Sequence, residues 1–439
     1  MPTVEQEKTG LGNYFVANYP PFSFWKPAFL PEAKEALDRP PKPGTPLGLY
    51  LHIPFCRKRC KFCYFRVYTD KNARDVETYV NALIKEVDLY SRLPIIGGRP
   101  LHFVYFGGGT PSYLSASQLR GLVERVRAAI PWDGAKEVTF ECEPGTLQQH
   151  KVSTLKELGV TRLSLGIENF NDQILEANGR AHLSEEIHRA YGWIREAGFE
   201  QVNIDLIAGM VGETWDNWRD CIRQTIEMSP DSVTIYQMEL PFNTVFSKEL
   251  KLVGQDEPSA VVADWPTKRA WVNYAFEELA KAEYAVSSAY TVVKDPKRCR
   301  FVYRDSLWHG ADMLGTGVAS FGHVNGVHVQ NVDAWDQYLT LLDKGELPLG
   351  RALPVSPRHM MIRELILQLK TGGIELDYFR RKFGVDVSED FSDRIERLIG
   401  DGNLTITNGR VEVTRQGLLQ VDRLLPEFFD PEHRNTRYT

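Results

Sequence analysis

The sequence predicts an α/β fold with a mainly parallel sheet. Short apolar runs rich in β-branched residues recur along the chain, and stretches with helical spacing separate them. Parallel strands that are covered by helices have this near-continuous apolar character. Six strand–helix units suit either an open barrel or a doubly wound sheet, and the periodicity leaves both open. The predicted strands span residues 48–53, 101–106, 138–141, 162–168, 201–207 and 232–238.

The segment before the first strand, residues 1–45, is rich in proline and aromatic residues and ends in the run PPKPG at 40–44. Rigid sequence that is poor in backbone donors predicts an arm and linker rather than a folded layer. Within it, residues 19–25 are too apolar for a free tail. We therefore expect this part of the arm to pack on the body of the protein.

The remaining chain divides into three predicted segments. Residues 46–285 form the core, and the glycine-containing residues 286–350 are expected to complete it. Residues 351–439 are more charged and predict three helices followed by a hairpin whose turn is Asn408–Gly409. Helices followed by a hairpin resemble a winged-helix domain, which often binds DNA. The acidic balance of this chain favours a lid or a scaffold instead.

Composition and charge exclude several classes of protein. The 439 residues carry 52 Lys and Arg against 58 Asp and Glu, which argues against binding to nucleic acids through a large basic surface. No uncharged apolar stretch reaches the roughly 18 residues that cross a bilayer, and the first residues lack a basic-then-apolar signal pattern. Six cysteines are too sparse for a disulfide scaffold. We expect a cytoplasmic protein without a membrane span.

The strongest chemical signal is a group of three cysteines within eight positions, namely Cys56, Cys60 and Cys63. Thiolates are soft ligands for zinc or iron–sulfur clusters. A structural zinc site needs four protein ligands, usually as two pairs, and the other cysteines of this chain are isolated. Three thiolates without a fourth suit a four-iron cluster with one iron open to an exogenous ligand. The spacing therefore predicts a [4Fe–4S] cluster rather than zinc, and the neighbouring Phe62 belongs to its apolar surroundings.

Further candidates lie where the predicted strands end, because ligands on parallel α/β scaffolds bind at the carboxyl ends of the strands. The run Gly107–Gly109 permits close backbone approach, so that its amides can receive a polar ligand, or else it forms a tight turn. Glu141 either contacts a ligand or is an ordinary surface carboxylate. Asp205 either contacts a ligand or is a structural hydrogen-bond hub in the core. Arg180 can clamp a carboxylate with two hydrogen bonds or form an ordinary salt bridge.

The motif His52–Ile53–Pro54–Phe55–Cys56 with the CxxxCxxC spacing resembles the radical S-adenosylmethionine superfamily. The combined motifs are similar to its branch of oxygen-independent coproporphyrinogen III dehydrogenases and related heme chaperones. This resemblance implies a (β/α)6 partial TIM barrel, with the aromatic arm before it and the winged-helix-like domain after it. It also implies a [4Fe–4S] cluster whose open iron chelates S-adenosylmethionine (SAM), and an electron that cleaves SAM to a 5′-deoxyadenosyl radical.

The resemblance implies contacts to SAM but identifies no catalytic residue. The contacts that it implies are Tyr50, Phe62, Gly108, Gly109, Thr110, Glu141, Glu168, Arg180, Asp205, Glu239 and Phe321. It allows one SAM molecule or two, and Arg180 would hold the carboxylate of the second. The alternative is a buried salt bridge from Arg180 to Glu168 or Asp205 that closes the cavity. The implied partners are a small-molecule substrate, such as a tetrapyrrole or heme, and a reductant such as flavodoxin or ferredoxin. We expect a monomer.

Two positions depart from the dehydrogenase pattern. Phe65 stands where that enzyme has a fourth cysteine, and Glu168 stands where it has a glutamine that contacts a second cofactor. Three functions therefore stay open: an oxidoreductase acting on a tetrapyrrole or similar aromatic substrate, a heme chaperone that retains the cluster, and a two-SAM methyltransferase or cyclopropane-forming enzyme. His323 and His328 are interpreted as two loop imidazoles rather than as heme ligands.

Overall fold

The computed structural model describes residues 15–240, 244–246 and 262–434. Parts of the predicted arm (1–14), core (241–243 and 247–261) and C-terminal segment (435–439) lie outside these residues. Twelve strands form one mixed sheet in the order β12-β11-β10-β9-β1-β2-β3-β4-β5-β6-β8-β7. The strands are β1 Leu47–Ile53, β2 Leu101–Gly108, β3 Glu137–Cys142, β4 Arg162–Glu168, β5 Gln201–Ala208, β6 Ser232–Gln237, β7 Ala285–Val286, β8 Thr291–Val293, β9 Asp312–Thr316, β10 Phe321–Val324, β11 Val327–Asn331 and β12 Leu349–Pro354.

The order of the parallel strands distinguishes between the two predicted architectures. The six predicted strands are confirmed as β1 to β6, and each pairs in parallel with the next along the chain. In a doubly wound sheet, the order of the strands along the sheet reverses at a switch point. The unbroken order is that of a partial barrel, and β9 adds a seventh parallel strand beside β1. Antiparallel strands flank this parallel set on both sides, so in the described residues the sheet is open.

The helices between the strands cover the sheet with apolar faces, and several begin at side-chain caps. Asn72 accepts from the backbone N–H of Asp75 while Asp75 accepts from that of Asn72, and Ser115 and Gln118 form the same reciprocal pair. No helix in the described ranges is long and apolar enough to cross a membrane. The helices of this part are α1 Leu30–Leu37, α2 Ala73–Ser91, α3 Ala116–Ala129, α4 Gln149–Glu157, α5 Asp172–Ala177, α6 Ser184–Ala197, α7 Trp215–Met228, α8 Trp265–Lys281, α9 Val302–Trp308 and α10 Trp335–Asp343.

The N-terminal arm is more ordered than a linker. The segment around Trp25 packs on the body as expected, because its indole stacks on the ring of His328 at 4.8 Å. The expectation of no folded layer is wrong for α1, which buries Ala33, Ala36 and Leu37 against the region of β11 and β12. At the free edge of β12, Lys26 of the arm and Ala352 exchange backbone hydrogen bonds of 2.9 and 3.1 Å, so the arm also occupies part of an edge that could otherwise pair with another chain.

The C-terminal segment forms a second core with a small sheet in the order β13-β15-β14. The predicted hairpin is confirmed as β14 and β15, and its turn residues Asn408 and Gly409 have φ of 50° and 76°, as a two-residue hairpin turn requires. The predicted boundary at residues 350/351 falls inside β12, so the main sheet continues to Pro354. The elements are α11 Pro357–Leu369, β13 Gly373–Glu375, α12 Leu376–Phe383, α13 Val387–Asp390, α14 Ser392–Gly400, β14 Leu404–Thr407, β15 Arg410–Val413, α15 Arg415–Leu418 and α16 Val421–Leu424.

Candidate active site

A cavity of about 450 Å³ lies at the carboxyl ends of the parallel strands. The loop after β1 and the ends of β2 to β6 form one side of it, and residues 418–423 of the C-terminal segment form the other. Because parallel strands present their carboxyl ends at one edge of a sheet, residues from distant parts of the chain meet there. The cavity is therefore the place where the predicted site residues should converge.

The three predicted cluster ligands, Cys56, Cys60 and Cys63, line this cavity together as free thiols. Backbone hydrogen bonds shape their loop: the N–H of Cys63 donates to the carbonyl of Cys60 at 3.1 Å, and the N–H of Cys56 donates to that of Tyr68 at 3.0 Å. Burial raises the pKa of Cys56 to about 11 and the pKa of Cys63 to about 12. Because a metal ligand must be a thiolate, uptake of a cluster would release protons here. Three convergent sulfurs fit a four-iron cluster with one open iron.

The glycine run after β2 packs directly against the cysteine loop. A Cβ added at Gly109 would lie 2.9 Å from the carbonyl carbon of Pro54 and 3.1 Å from Sγ of Cys56. The N–H groups of Gly109 and Thr110 donate to the carbonyls of Ile53 and Phe55 at 2.9 and 2.8 Å. These two amides are already engaged, so the expectation that they receive the polar end of the cofactor is not supported. Gly109 is needed so that the two loops can approach.

Four partly buried carboxylates, those of Glu141, Glu168, Asp205 and Glu239, face the same cavity. Glu141 accepts from the hydroxyl of Tyr105 at 2.5 Å and from the N–H of Gly108 at 3.2 Å. Burial, together with the nearby Glu168 carboxylate, raises the pKa of Glu141 to about 7 and that of Asp205 to about 8. The fourth carboxylate, Glu239, accepts from a backbone N–H of the arm, and burial raises its pKa to about 8. Carboxylates that repel one another are stabilised when a cation binds between them, so this group favours a cationic ligand such as SAM.

Arg180 connects the cysteine loop to this carboxylate group. Its Nη1 donates to Sγ of Cys60 at 3.2 Å, and its Nη2 donates to the carbonyl of Gly166 at 2.8 Å. The alternative to ligand binding is a salt bridge that closes the cavity; a salt bridge to Glu168 is present, with 3.6 Å between Nη2 and Oε1, but the cavity stays open. Within the described residues the buried Nε of Arg180 has no hydrogen-bond partner. An orphaned buried donor beside an open cavity fits a ligand that brings an acceptor, such as a carboxylate.

Nine of the predicted SAM contacts line the cavity, and two do not. Those that line it are Phe62, Gly108, Gly109, Thr110, Glu141, Glu168, Arg180, Asp205 and Glu239. Tyr50 lies inside β1, opposite Tyr105 of β2, and its ring stacks on that of Tyr105 with 5.7 Å between ring centroids. Phe321 packs against the arm instead, with its ring 4.5 Å from that of Phe22. The structure therefore does not bring Tyr50 and Phe321 to the cavity wall.

The two histidines were expected in loops, and that expectation is wrong. His323 lies in β10 and His328 in β11, where they form a cross-strand pair. Their Nδ1 atoms are 2.8 Å apart, and Nε2 of His328 lies 3.0 Å from the carbonyl of Tyr19. Both are buried, and burial lowers the pKa of His328 to about 3. Neither borders the cavity.

The side of the cavity opposite the strand ends includes residues that the sequence did not predict to line it. It includes Phe15 of the arm, Tyr290 and residues 418–423. The hydroxyl of Tyr290 donates to Asp422, whose other carboxylate oxygen lies 2.8 Å from Nζ of Lys370. The ammonium of Lys370 also lies 3.8 Å from the centroid of the Phe15 ring. These contacts join segments that are distant in the chain, and no local pattern signals them.

Comparison with known proteins agrees with this geometry. Residues 50–225 match the model of the radical SAM superfamily, and residues 355–419 match that of the HemN C-terminal domain. The oxygen-independent coproporphyrinogen III oxidase of Synechocystis sp. is 27% identical, over 93% of this chain and 93% of that protein. The heme chaperone HemW of Haemophilus influenzae is 33% identical, over 63% of this chain and 70% of that protein.

A solved structure shows the same fold. The coproporphyrinogen III oxidase (HemN) of Escherichia coli, a radical SAM enzyme, superposes with a TM-score of 0.81 and 22% sequence identity, covering 94% of this chain and 96% of that one. Fold, cysteine loop and family models define a radical SAM protein, whose cofactors are a [4Fe–4S] cluster and SAM. Within that superfamily, the chain belongs to the family of the oxygen-independent coproporphyrinogen III oxidases and the HemW heme chaperones.

Proposed function

We propose that this protein is a radical SAM oxidoreductase that acts on a tetrapyrrole or a similar aromatic substrate. The observation that carries the proposal is one cavity in which three cysteines, four partly buried carboxylates and Arg180 meet an aromatic wall. Relatives named oxygen-independent coproporphyrinogen III oxidase, one of them matched over 93% of its length, support the substrate class.

Cys56, Cys60 and Cys63 are the residues that would hold the cluster. When bound, the cluster and SAM supply one-electron chemistry that can remove a hydrogen atom from an unactivated carbon. The contribution of Arg180 is to fix Cys60 through its Nη1 and to offer its Nε to a ligand acceptor. The N–H of Lys61 donates to the carbonyl of Asn178 at 3.1 Å, so the segment that carries Arg180 also supports the cysteine loop.

The partly buried carboxylates of the cavity would supply negative charge to a cationic ligand and hold protons when no such ligand is bound. With a pKa of about 8, Asp205 is mostly protonated at neutral pH when no cation is near. A cationic ligand placed beside it stabilises the carboxylate form and lowers that pKa. Binding of SAM would therefore release a proton from this part of the cavity. Glu168 stands beside the same position, with a left-handed backbone at φ 69°.

The aromatic side of the cavity would cover the substrate and exclude water. Phe15 and Tyr290 present rings there, and the ammonium of Lys370, paired with Asp422, lies against both rings. Tyr236 adds a ring from β6 on the strand side and stacks on Tyr290. Basic side chains also line the cavity, some of them on the cysteine loop, and they suit a substrate that carries carboxylates. They are Arg57, Lys58, Arg59, Arg269 and Arg423.

A heme chaperone is the second candidate, and two observations favour it. The HemW relative is the one with 33% identity, and Phe65, where the dehydrogenases have a fourth cysteine, is 52% exposed at the cavity. A chaperone would need an axial heme ligand. Among the described residues that line the cavity there is no histidine, which leaves tyrosine, methionine or cysteine side chains for that role.

The number of SAM molecules distinguishes a third candidate, the two-SAM methyltransferase or cyclopropane-forming enzyme. The Arg180–Glu168 pair leaves the cavity open, so this pair does not by itself exclude a second molecule. Equilibrium dialysis of labelled SAM on the fully reconstituted protein gives the stoichiometry. A value of two would support this candidate, and a value of one with a full cluster would end it.

The proposed function is tested by a substrate screen under anaerobic conditions. Reconstituted protein is reduced with dithionite, and separately with a flavodoxin or ferredoxin, which we propose as its reductant. Coproporphyrinogen III and heme are offered in turn, and products are followed by mass spectrometry. The expected result is SAM-dependent loss of mass from the porphyrinogen by a protein that elutes as a monomer. Tight heme binding without any product would instead support the chaperone.

A further inference from the structure

A polar group far from the cysteine loop in sequence lies where the arm meets the C-terminal segment. It consists of His359 at the start of α11 and of Asp430, Glu432 and His433 near the end of the described chain. One ligand atom of each of these four side chains lies within 4.8 Å of the others. Tyr19 of the arm lies against the group, with its hydroxyl 2.8 Å from Nδ1 of His433.

One separation in this group matches that of two neighbouring metal ligands, and the other ligand atoms lie within 4.8 Å. Nε2 of His359 lies 3.4 Å from Oδ2 of Asp430. Ligand bonds of about 2.0–2.2 Å in tetrahedral geometry place neighbouring ligand atoms roughly 3.4 Å apart. The imidazole and the carboxylate therefore need little movement to share one cation. The imidazole of His433 adds a second nitrogen ligand, and the exposed Glu432 or water can complete the set.

Surrounding contacts hold these side chains in place. Nε of Arg358 donates to Oδ1 of Asp430 at 3.0 Å, which orients the other oxygen, Oδ2, toward His359. The guanidinium of Arg358 also pairs with Asp390 at 3.1 Å, so its charge is already balanced. The N–H of His433 donates to the carbonyl of Asp430 at 2.9 Å and closes their turn. Outer hydrogen bonds of this kind orient the ligands in metal sites.

We propose that His359, Asp430 and His433 bind a divalent cation of the zinc class. Two imidazoles and one carboxylate suit zinc or a neighbouring transition metal, whereas calcium and magnesium prefer all-oxygen sites. The cation would tie the C-terminal segment to Tyr19. Four residues earlier, Phe15 donates its N–H to Glu239 at the cavity, and Val16 donates its N–H to Asp422. Occupancy would thus fix the part of the arm that borders the active site, without any part in the radical chemistry.

The test uses the full chain with Cys56, Cys60 and Cys63 all replaced by Ala, because the cysteine loop would also take up zinc. The affinity for Zn²⁺ is measured by isothermal titration calorimetry, and bound zinc is quantified by elemental mass spectrometry after gel filtration. His359→Ala and Asp430→Asn are made in this background. His150→Ala is the matched control, because His150 is exposed on another part of the chain.

We expect one Zn²⁺ per chain, an affinity at least about tenfold lower in His359→Ala and Asp430→Asn, and no change in His150→Ala. Zinc should also raise the unfolding temperature of the parent but not of His359→Ala. Absence of bound zinc, or binding that both site variants leave unchanged, would overturn the proposal. If the triple variant does not fold, bound zinc is measured instead in the cluster-loaded protein purified from zinc-supplemented cultures. One equivalent of zinc that is retained by the parent and lost in His359→Ala supports the site. Absence of a retained equivalent, or one that His359→Ala also retains, refutes it.

Discussion

The two sides of the active-site cavity are built differently. On the strand side, buried charges and thiols are held by backbone hydrogen bonds within the sheet and its loops, as with Cys56 and Thr110. On the opposite side, aromatic rings are held by a few side-chain contacts between the arm and the C-terminal segment, with Lys370 and Asp422 at their centre. Under the proposed function, the sheet and its loops would place the cofactors, whereas the substrate side would depend on the docking of two other segments.

Loss of a cysteine ligand should have the largest effect and should affect the strand side alone. Cys56→Ala, Cys60→Ala or Cys63→Ala should each abolish the intact four-iron chromophore, because thiolates supply all its protein ligands. Cys221→Ala is the control, since Cys221 is buried in the core away from the cavity. Iron and sulfide analysis after anaerobic reconstitution measures the effect. Four tightly held irons in the triple variant would contradict the proposed ligands.

The next largest effect should come from the buried ion pair on the opposite side. Lys370→Met leaves the Asp422 carboxylate without its cation, and breaking a buried pair costs about 3–5 kcal/mol of the free energy of unfolding. Denaturant unfolding measures it. In the control Arg380→Met, which breaks exposed pairs with Asp377 and Asp386, the change should stay within about 1 kcal/mol. Equal effects in the two variants would mean that the pair does not anchor this side.

Gly109→Ala should test the contact between the two loops of the strand side. The added methyl group would meet Pro54 and Sγ of Cys56, and overpacking of this kind costs about 1–3 kcal/mol. We expect a lower yield of the cluster and a lower unfolding temperature. Gly121→Ala on α3 serves as the control because nothing lies within 4 Å of its added Cβ. Full cluster yield in Gly109→Ala would show that the cysteine loop adapts more readily than the geometry indicates.

The smallest effect should be a pH dependence of cofactor binding. Because the pKa of Asp205 is about 8, its neutral form dominates below that pH and its carboxylate above it. The affinity for the cationic SAM should therefore rise with pH up to about 8, by at most about tenfold per pH unit. In Asp205→Asn the rise should be smaller, although Glu141 and Glu239 also titrate in this range. Calorimetric titrations from pH 6.5 to pH 8.5 test this, and identical slopes in the two proteins would refute it.

The same pH range affects stability through Asp205. Its pKa is raised in the folded state, so between about pH 4 and pH 8 the folded protein holds a proton that the unfolded chain has lost. The free energy of unfolding should therefore fall as pH rises through this window. Asp205→Asn should flatten the fall, and unfolding curves at several pH values measure it. A slope that Asp205→Asn leaves unchanged would contradict the raised pKa.

The contrast between the two sides also explains what the sequence could predict. The β-branched runs located six of the seven parallel strands and missed the short β9. The strand-end rule placed Glu141 and Asp205 at the cavity, whereas Arg180, in the loop after α5, was implied by the family resemblance. Placing Phe321 there failed, because β10 turns away from the cavity toward the arm. The aromatic side depends on hydrogen bonds such as that of Val16 to Asp422, which spans 406 residues. Contacts of that range leave no periodic pattern, so the sequence predicted that the arm packs on the body but not where it docks.

The central claim is that the cysteine loop and the cavity beside it perform radical SAM chemistry. The most direct measurement is 5′-deoxyadenosine formed from SAM by the reconstituted, dithionite-reduced protein, compared with Cys60→Ala prepared in the same way. We predict SAM-dependent formation by the parent protein even without substrate, and none above background by the variant. A parent protein with a full cluster that forms no 5′-deoxyadenosine, with or without porphyrinogen, would contradict the assignment of an enzyme.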